Sequence, residues 1–249
     1  MIWDKLTTEE IKECSQNDYV VVIPCGAIEQ HGAHLPVDTD SHIAWEIATR
    51  IGATQDRILV APLLNIGFSP HHMGLHGTIS YSFETFASVI HDVCQSIVNS
   101  GFNRIVFLNA HGGNASFLKA RALSLSIEFN IKILVITYMD FIRDDLETIR
   151  ESESGGISHA CELETSLQLY LSKPLVKVDK IKKNIVQPAL SYIKKDSSEK
   201  PKAYLPLPYK HPGVNGDPTL ATEEKGKKIM EVIVSSVGEA IAEFRDTEF

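Results

Sequence analysis

The run Arg104-Ile-Val-Phe-Leu-Asn109-Ala-His111-Gly-Gly-Asn114 passes from consecutive apolar residues into a polar, glycine-bearing turn. Such a run predicts a buried strand, and the residues beyond it predict a helix to about Phe129 with Asn114 as its cap. A strand feeding a helix through a short polar turn is the unit from which parallel sheets are built. The rest of the chain repeats it. Tyr19–Pro24, Arg57–Pro62 and Ile131–Thr137 read as further strands. Helices are predicted from about Thr39 to Ile51, stopped by Gly52; from Ser82, a capping residue, to about Ser100; near 139–150; from about His159 to Leu171; and after the cap Thr222, with Ile229, Ile233, Val237 and Ile241 along one side. Residues 173–218 predict irregular structure and edge strands. The alternation points to an α/β fold around a mainly parallel sheet, a single domain over residues 1–249.

Composition narrows the function. With 24 Lys+Arg against 32 Asp+Glu the formal charge is −8, which disfavours a nucleic-acid binder because phosphate contacts need clustered cations. No apolar run reaches the roughly 20 residues of a membrane span, so a cytoplasmic protein is expected. The four cysteines (Cys14, Cys25, Cys94, Cys161) form no CxxC pair, which fits a reducing compartment and no cysteine metal site. No GxGxxG follows a strand and no GxxxxGK[ST] loop is present, so a nucleotide-binding α/β protein is disfavoured. Of ten histidines, six (His31, His34, His42, His71, His72, His76) fall between residues 31 and 76.

Three segments carry chemistry. Cys25-Gly-Ala-Ile-Glu29-Gln30-His31-Gly-Ala-His34-Leu-Pro-Val-Asp38-Thr-Asp40-Ser-His42 offers an imidazole and two carboxylates in Glu29, His31 and Asp40, a set suited to zinc, manganese or iron. Asn109-Ala-His111-Gly-Gly-Asn114 follows a strand, and ligands in open α/β sheets bind beyond the strands' carboxyl ends. The third is Ser158-His159-Ala-Cys161-Glu162-Leu-Glu164-Thr-Ser166. A helix starting near His159 would put Glu162 on the same face and turn Glu164 away. His34 reads either as support for a ligand or as a loop residue, His42 as structural, and Asp38 as a helix-start acid. The loop His71-His72-Met-Gly-Leu-His76 reads either as a solvent-facing turn or as a substrate or subunit contact. Cys25 and Cys161 read as small buried hydrophobes rather than nucleophiles.

Together these segments resemble the creatininase family, whose pattern is Glu-Gln-His-Gly-x-His-Leu-Pro with a following Asp, then Asn-x-His-Gly-Gly-Asn, then His-Ala-x-Glu-x-Glu-Thr-Ser. Gly77-Thr-Ile-Ser80 and Gly213-Val-Asn-Gly-Asp-Pro-Thr-Leu-Ala-Thr-Glu-Glu-Lys-Gly226 extend the resemblance over nearly the whole chain. It implies a three-layer αβα sandwich, a homo-oligomer (a hexamer), and two divalent metal ions that activate water to hydrolyse a non-peptide C–N bond in a small cyclic or formyl amide. By the same resemblance Glu29, His31, Asp40 and His111 match metal ligands, Asp40 bridging. His159 matches the active-site histidine, expected to stabilise the tetrahedral species and protonate the departing nitrogen, and Glu164 the acidic group that orients it or shuttles its proton. Creatininase itself has a metal-binding Glu two residues after the second-motif His, where this chain has Gly113; Glu162 is expected to fill that place. Relatives that deformylate a pyrimidine intermediate or trim a small modified peptide are alternatives. A non-catalytic metal-binding assembly subunit is the alternative of another class, disfavoured because His159 and Glu164 are both present. Creatininase closes tryptophans over its ring substrate, whereas this chain has only Trp3 and Trp45 and no aromatic in Glu151–Ser158, so creatinine is not the expected substrate.

Overall fold

A computed structural model of the chain describes residues 1–186 and 213–248. Four strands, β1 (Val20–Cys25), β2 (Ile58–Val60), β3 (Arg104–Asn109) and β4 (Lys132–Thr137), form one sheet in the order β2-β1-β3-β4. Every pairing is parallel. β1 is buried along its whole length, as a strand covered on both faces must be.

Successive side chains of a strand point to opposite faces, and β1 distributes its residues accordingly. Val20 and Val22 join a core with Ile43, Ile47 and Ile51 of α2 (Thr39–Thr54) and Ile229, Ile233 and Val237 of α8 (Glu223–Asp246). Val21, Ile23 and Cys25 join a second core with Ile90 and Cys94 of α3 (Phe83–Asn99) and Leu118 and Leu125 of α4 (Gly112–Phe129). Helices thus cover both faces, the expected three-layer α/β sandwich. The remaining α-helices among the described residues are α1 (Thr8–Gln16), α5 (Tyr138–Phe141), α6 (Arg143–Ile149) and α7 (Glu162–Ser172), the last packed against α8. No described helix is long and apolar enough to cross a membrane.

Ser82 and Thr222 cap α3 and α8 through the backbone N–H groups of Thr85 and Lys225. Other boundaries differ from expectation. Gly52 does not stop α2; a Cβ there would lie 2.7 Å from Val60 Cγ2, so the glycine lets the helix approach β2. Asn114 is not the cap of α4, whose N-cap is His111. The helix expected from His159 begins at Glu162, because Ala160 adopts a left-handed φ of 50° and His159 pairs through its backbone with Asn215. The stretch near 139–150 divides into α5 and α6. Within 173–218 the described residues form short turns at Lys173–Leu175 and Val178–Lys180 and no strand, only the isolated bridges Asn184–Gly216 and His159–Asn215; the expectation for 187–212 lies outside the described residues.

Strand order reverses direction between β1 and β3, so the segments leaving their carboxyl ends diverge and leave a crevice. The first two chemical segments begin there.

Candidate metal centre

The crevice is held by side chains that lock its backbone. Asn114, inside the first turn of α4, donates from Nδ2 to Gly26 O at 3.0 Å and accepts from Phe68 N–H at Oδ1 at 2.9 Å. One side chain thereby ties the segments after β1 and β2 to α4. Asn109 donates to His111 O and accepts from His111 N–H, fixing the backbone that carries His111. Ser41 donates to the carbonyls of Ala27 and Asn65. A Cβ at Gly26 would lie 2.4 Å from Ser41 Cα, so only glycine lets the chain leave β1 this close to α2.

Five ionisable side chains converge in this frame, with His72 and His159 beside them. Asp40, in the first turn of α2, sets Oδ1 3.2 Å from His31 Nε2 and Oδ2 2.9 Å from His111 Nδ1. Glu164, in the first turn of α7, sets Oε1 3.8 Å from His31 Nε2. Glu29 Oε2 lies 3.4 Å from His111 Nε2, and Glu29 Oε1 lies 3.5 Å from His159 Nδ1 and 3.6 Å from His72 Nε2. Glu29, His31, Asp40, His111 and Glu164 are all buried. Three ligand groups follow, each with its donor atoms within 4.8 Å of one another: His31, Asp40 and Glu164; Glu29, His71 and His111; and Glu29, His31 and His159.

The electrostatics are those of a site short of positive charge. Burial, followed by the Asp40 charge, pushes the Glu29 carboxyl up to about 7 against the pull of His111 and His31. Burial opposes charge on His111 too, yet Glu29 and Asp40 push it up to about 9. His31 stands well above its ordinary value, with burial overcome by Asp40 and Glu164, and Asp40 is held well below the usual carboxylate range by His31 and His111 in spite of burial. A divalent cation binding here would displace protons from these groups. Glu29 Oε2, His31 Nε2 and Asp40 Oδ2 are buried without a hydrogen bond of good geometry. Buried polar atoms are ordinarily satisfied. The orphaned atoms and the mixed imidazole–carboxylate set fit a metal centre.

The third segment splits. His159 Nε2 lies 2.8 Å from both the carbonyl oxygen and the side-chain nitrogen of Gln30, and its ring sits 4.4 Å from those of His31 and His72. Burial, then the nearby His31 and His72, keep it well below the usual imidazole range. Glu164, expected as its acid–base partner, lies in the candidate ligand group of His31 and Asp40. Glu162 does not join the cluster. Its carboxylate accepts from the N–H groups of Glu151 and Ser152 and pairs with Lys225 Nζ at 2.6 Å. The physical reason is the late start of α7, which removes the helical register assumed between His159 and Glu162.

Outside the ligand groups, His34 Nε2 bonds Thr165 Oγ1 at 3.0 Å, supporting α7 beside Glu164. His42 bonds Gln168 on the framework. Cys25 and Cys161 are buried thiols pushed up by burial, as small hydrophobes would be. The reading from sequence missed Gln30, whose amide nitrogen spans His72 and His159 at 2.8 Å each, and Ser69, whose hydroxyl lies 3.1 Å from His111 Nε2. Gln30 was signalled by its place inside the first segment; nothing local marked Ser69.

The family model described as Creatininase, creatinine amidohydrolase, matches residues 4–241. Creatinine amidohydrolase of Pseudomonas putida is 29% identical over 259 residues, covering 96% of this chain and 95% of that protein. Mycofactocin precursor peptide peptidase of Mycolicibacterium smegmatis is 31% identical over 227 residues, covering 89% of this chain and 84% of that protein. Among solved structures, a manganese creatininase superposes with a TM-score of 0.84 at 27% identity over 99% of both chains.

Proposed function

Because this chain belongs to the creatininase family, we propose that it is a metal-dependent amidohydrolase that cleaves a non-peptide C–N bond in a small cyclic or formyl amide. The observation that carries this reading is the buried convergence of Glu29, His31, Asp40, His111 and Glu164 with three orphaned donor atoms facing inward. Glu29, Asp40 and His111 would hold one divalent cation and His31, Asp40 and Glu164 a second, Asp40 serving both through its two oxygens. Zinc, manganese and iron all suit such ligands. When bound, the cations supply a water acidic enough to ionise near neutral pH and polarise the carbonyl under attack.

The chain's own groups do the rest. Gln30 and the flanking rings of His31 and His72 hold the His159 imidazole in place. Kept neutral by burial, it can accept a proton and return it to the departing nitrogen. Glu162 acts in the framework, tying α7 to Lys225 of α8 and to the segment after α6.

Creatinine is disfavoured as substrate. Trp3 packs on Phe102 and Trp45 packs against the core beneath α2, so both tryptophans serve the framework. Four buried free thiols support a cytoplasmic location, and the exposed Leu123 and Ile127, one turn apart on α4, support a homo-oligomer. The test is hydrolysis by chelated and by manganese- or zinc-reconstituted protein of creatinine, other cyclic amides, formamides and short peptides. The expected result is metal-dependent turnover of a cyclic or formyl amide with creatinine weak or inert. Rapid creatinine hydrolysis would overturn the substrate assignment, and equal turnover with and without metal would overturn the mechanism.

A further inference from the structure

The ligand group of Glu29 and His111 includes a residue that the motifs do not assign. His71, an exposed residue of the turn Pro70–His72, has a ring nitrogen within 4.8 Å of ligand atoms of both. Its ring lies within 11° of parallel to that of His111 at 6.0 Å, and packs on His72 at 4.3 Å. Donor atoms at such separations can meet on one cation, since metal–nitrogen bonds are roughly 2 Å.

The sequence neighbours of His111 do not compete for this place. A Cβ at Gly113 would lie 2.3 Å from His111 Nε2 and 2.5 Å from Phe68 O, so position 113 cannot carry a side chain while His111 keeps its pose. Glu162 is bound to Lys225 and to backbone N–H groups elsewhere. The loop that brings His71 is firmly rooted. Phe68 N–H donates to Asn114 Oδ1, Ser69 N–H to Ser80 Oγ at 2.8 Å, and Tyr81 N–H to Gly67 O at 3.1 Å. Pro70 restricts φ at the start of the turn. Beyond it Met73, Gly74 and His76 are exposed, so the tip can settle on the site without disturbing the core.

We infer that His71 is a protein ligand of the cation held by Glu29, Asp40 and His111, and that cation binding at this position fixes the 69–76 loop. The inference rests on the metal-centre reading above, and the experiment separates the two. Metal-free full-length protein is titrated with Zn2+ against a chromophoric chelator and, in parallel, with Co2+ followed by visible absorption, which responds to coordination number. Wild type is expected to take up two cations per chain. His71→Ala should bind one of them about 10–100-fold more weakly, at least the loss that removing an outer-sphere partner causes, leaving the other unchanged and altering the spectrum of a single cobalt equivalent. His71→Glu should restore most of that affinity. His76→Ala, in the same exposed loop, should titrate as wild type. Two cations bound by His71→Ala with unaltered affinities and cobalt spectrum would overturn the role of His71 and leave the centre standing. Failure of wild type to bind any cation would overturn the centre itself.

Discussion

On the His31 side of Asp40 the candidate ligands come from packed framework: Asp40 from the first turn of α2, Glu164 from the first turn of α7, and His31 between them, all buried. On the Glu29 side only His111, the N-cap of α4, sits at the end of a helix, and its surroundings come from the loop after β2 through Phe68 O, Ser69, His71 and His72. The framework half is preorganised: Asp40 and Glu164 stand in the first turns of helices that pack for their own apolar reasons, and His31, in the loop between β1 and α2, is buried against both. The loop half relies on hydrogen bonds and on the cation. A binuclear centre built this way should hold one metal tightly and exchange the other, because a ligand on an exposed loop contributes only when the loop is seated.

Asp40 joins the halves, so its removal should erase the contrast. Asp40→Ala is expected to lose both cations, measured by elemental analysis, and to fall to background hydrolysis. Next in size, His159→Ala should lower kcat about 10²- to 10⁴-fold while retaining full metal content, which separates proton transfer from metal holding. Glu164→Gln and Glu162→Ala then test whether the framework half has been assigned to the correct acid. Glu164→Gln should lose one cation and most activity with little change in melting behaviour. Glu162→Ala should keep both cations and lose about 1–3 kcal/mol of stability in denaturant titration, the cost of removing a charged hydrogen-bond partner, since the N–H groups of Glu151 and Ser152 lose their acceptor while Lys225 keeps Glu151 and the Leu220 carbonyl. The smallest effect concerns pH. Burial works against the Glu162 charge, but Lys225 and the N–H groups of Glu151 and Ser152 hold its carboxyl below the ordinary value. Its contribution is therefore fully present above the unfolded carboxylate value of roughly 4.3 and is lost as pH falls through the depressed folded value. Wild type should show this acid-side loss of stability, and Glu162→Ala should lack that part of it.

Most of the architecture was legible because parallel sheets buried on both faces leave continuous apolar runs, as at Val20–Cys25 and Ile105–Leu108, and because Ser82 and Thr222 mark their helices by hydrogen-bonding chemistry that is local. Boundaries decided by tertiary contact were not legible. Gly52 reads as a stop until Val60 is seen against it, and Asn114 reads as a cap until its amide is found bridging Gly26 and Phe68. The same limit explains why Glu162 lies outside the cluster and Glu164 within it. Their roles were expected from the resemblance, and helical spacing from His159 only set their faces; the left-handed backbone at Ala160 breaks that register, which no pattern of side chains two or three residues apart discloses. His71 was flagged by the clustering of histidines, but its approach to Glu29 and His111 depends on a loop rooted across 46 residues of sequence, from Phe68 to Asn114.

The most direct test is a crystal structure of the manganese-loaded protein with anomalous differences recorded. Two peaks per chain are predicted, one touching Glu29, Asp40 and His111 and the other touching His31, Asp40 and Glu164, with none at Glu162. An active crystal with no peak among these residues, or with a peak held by Glu162, would contradict the account.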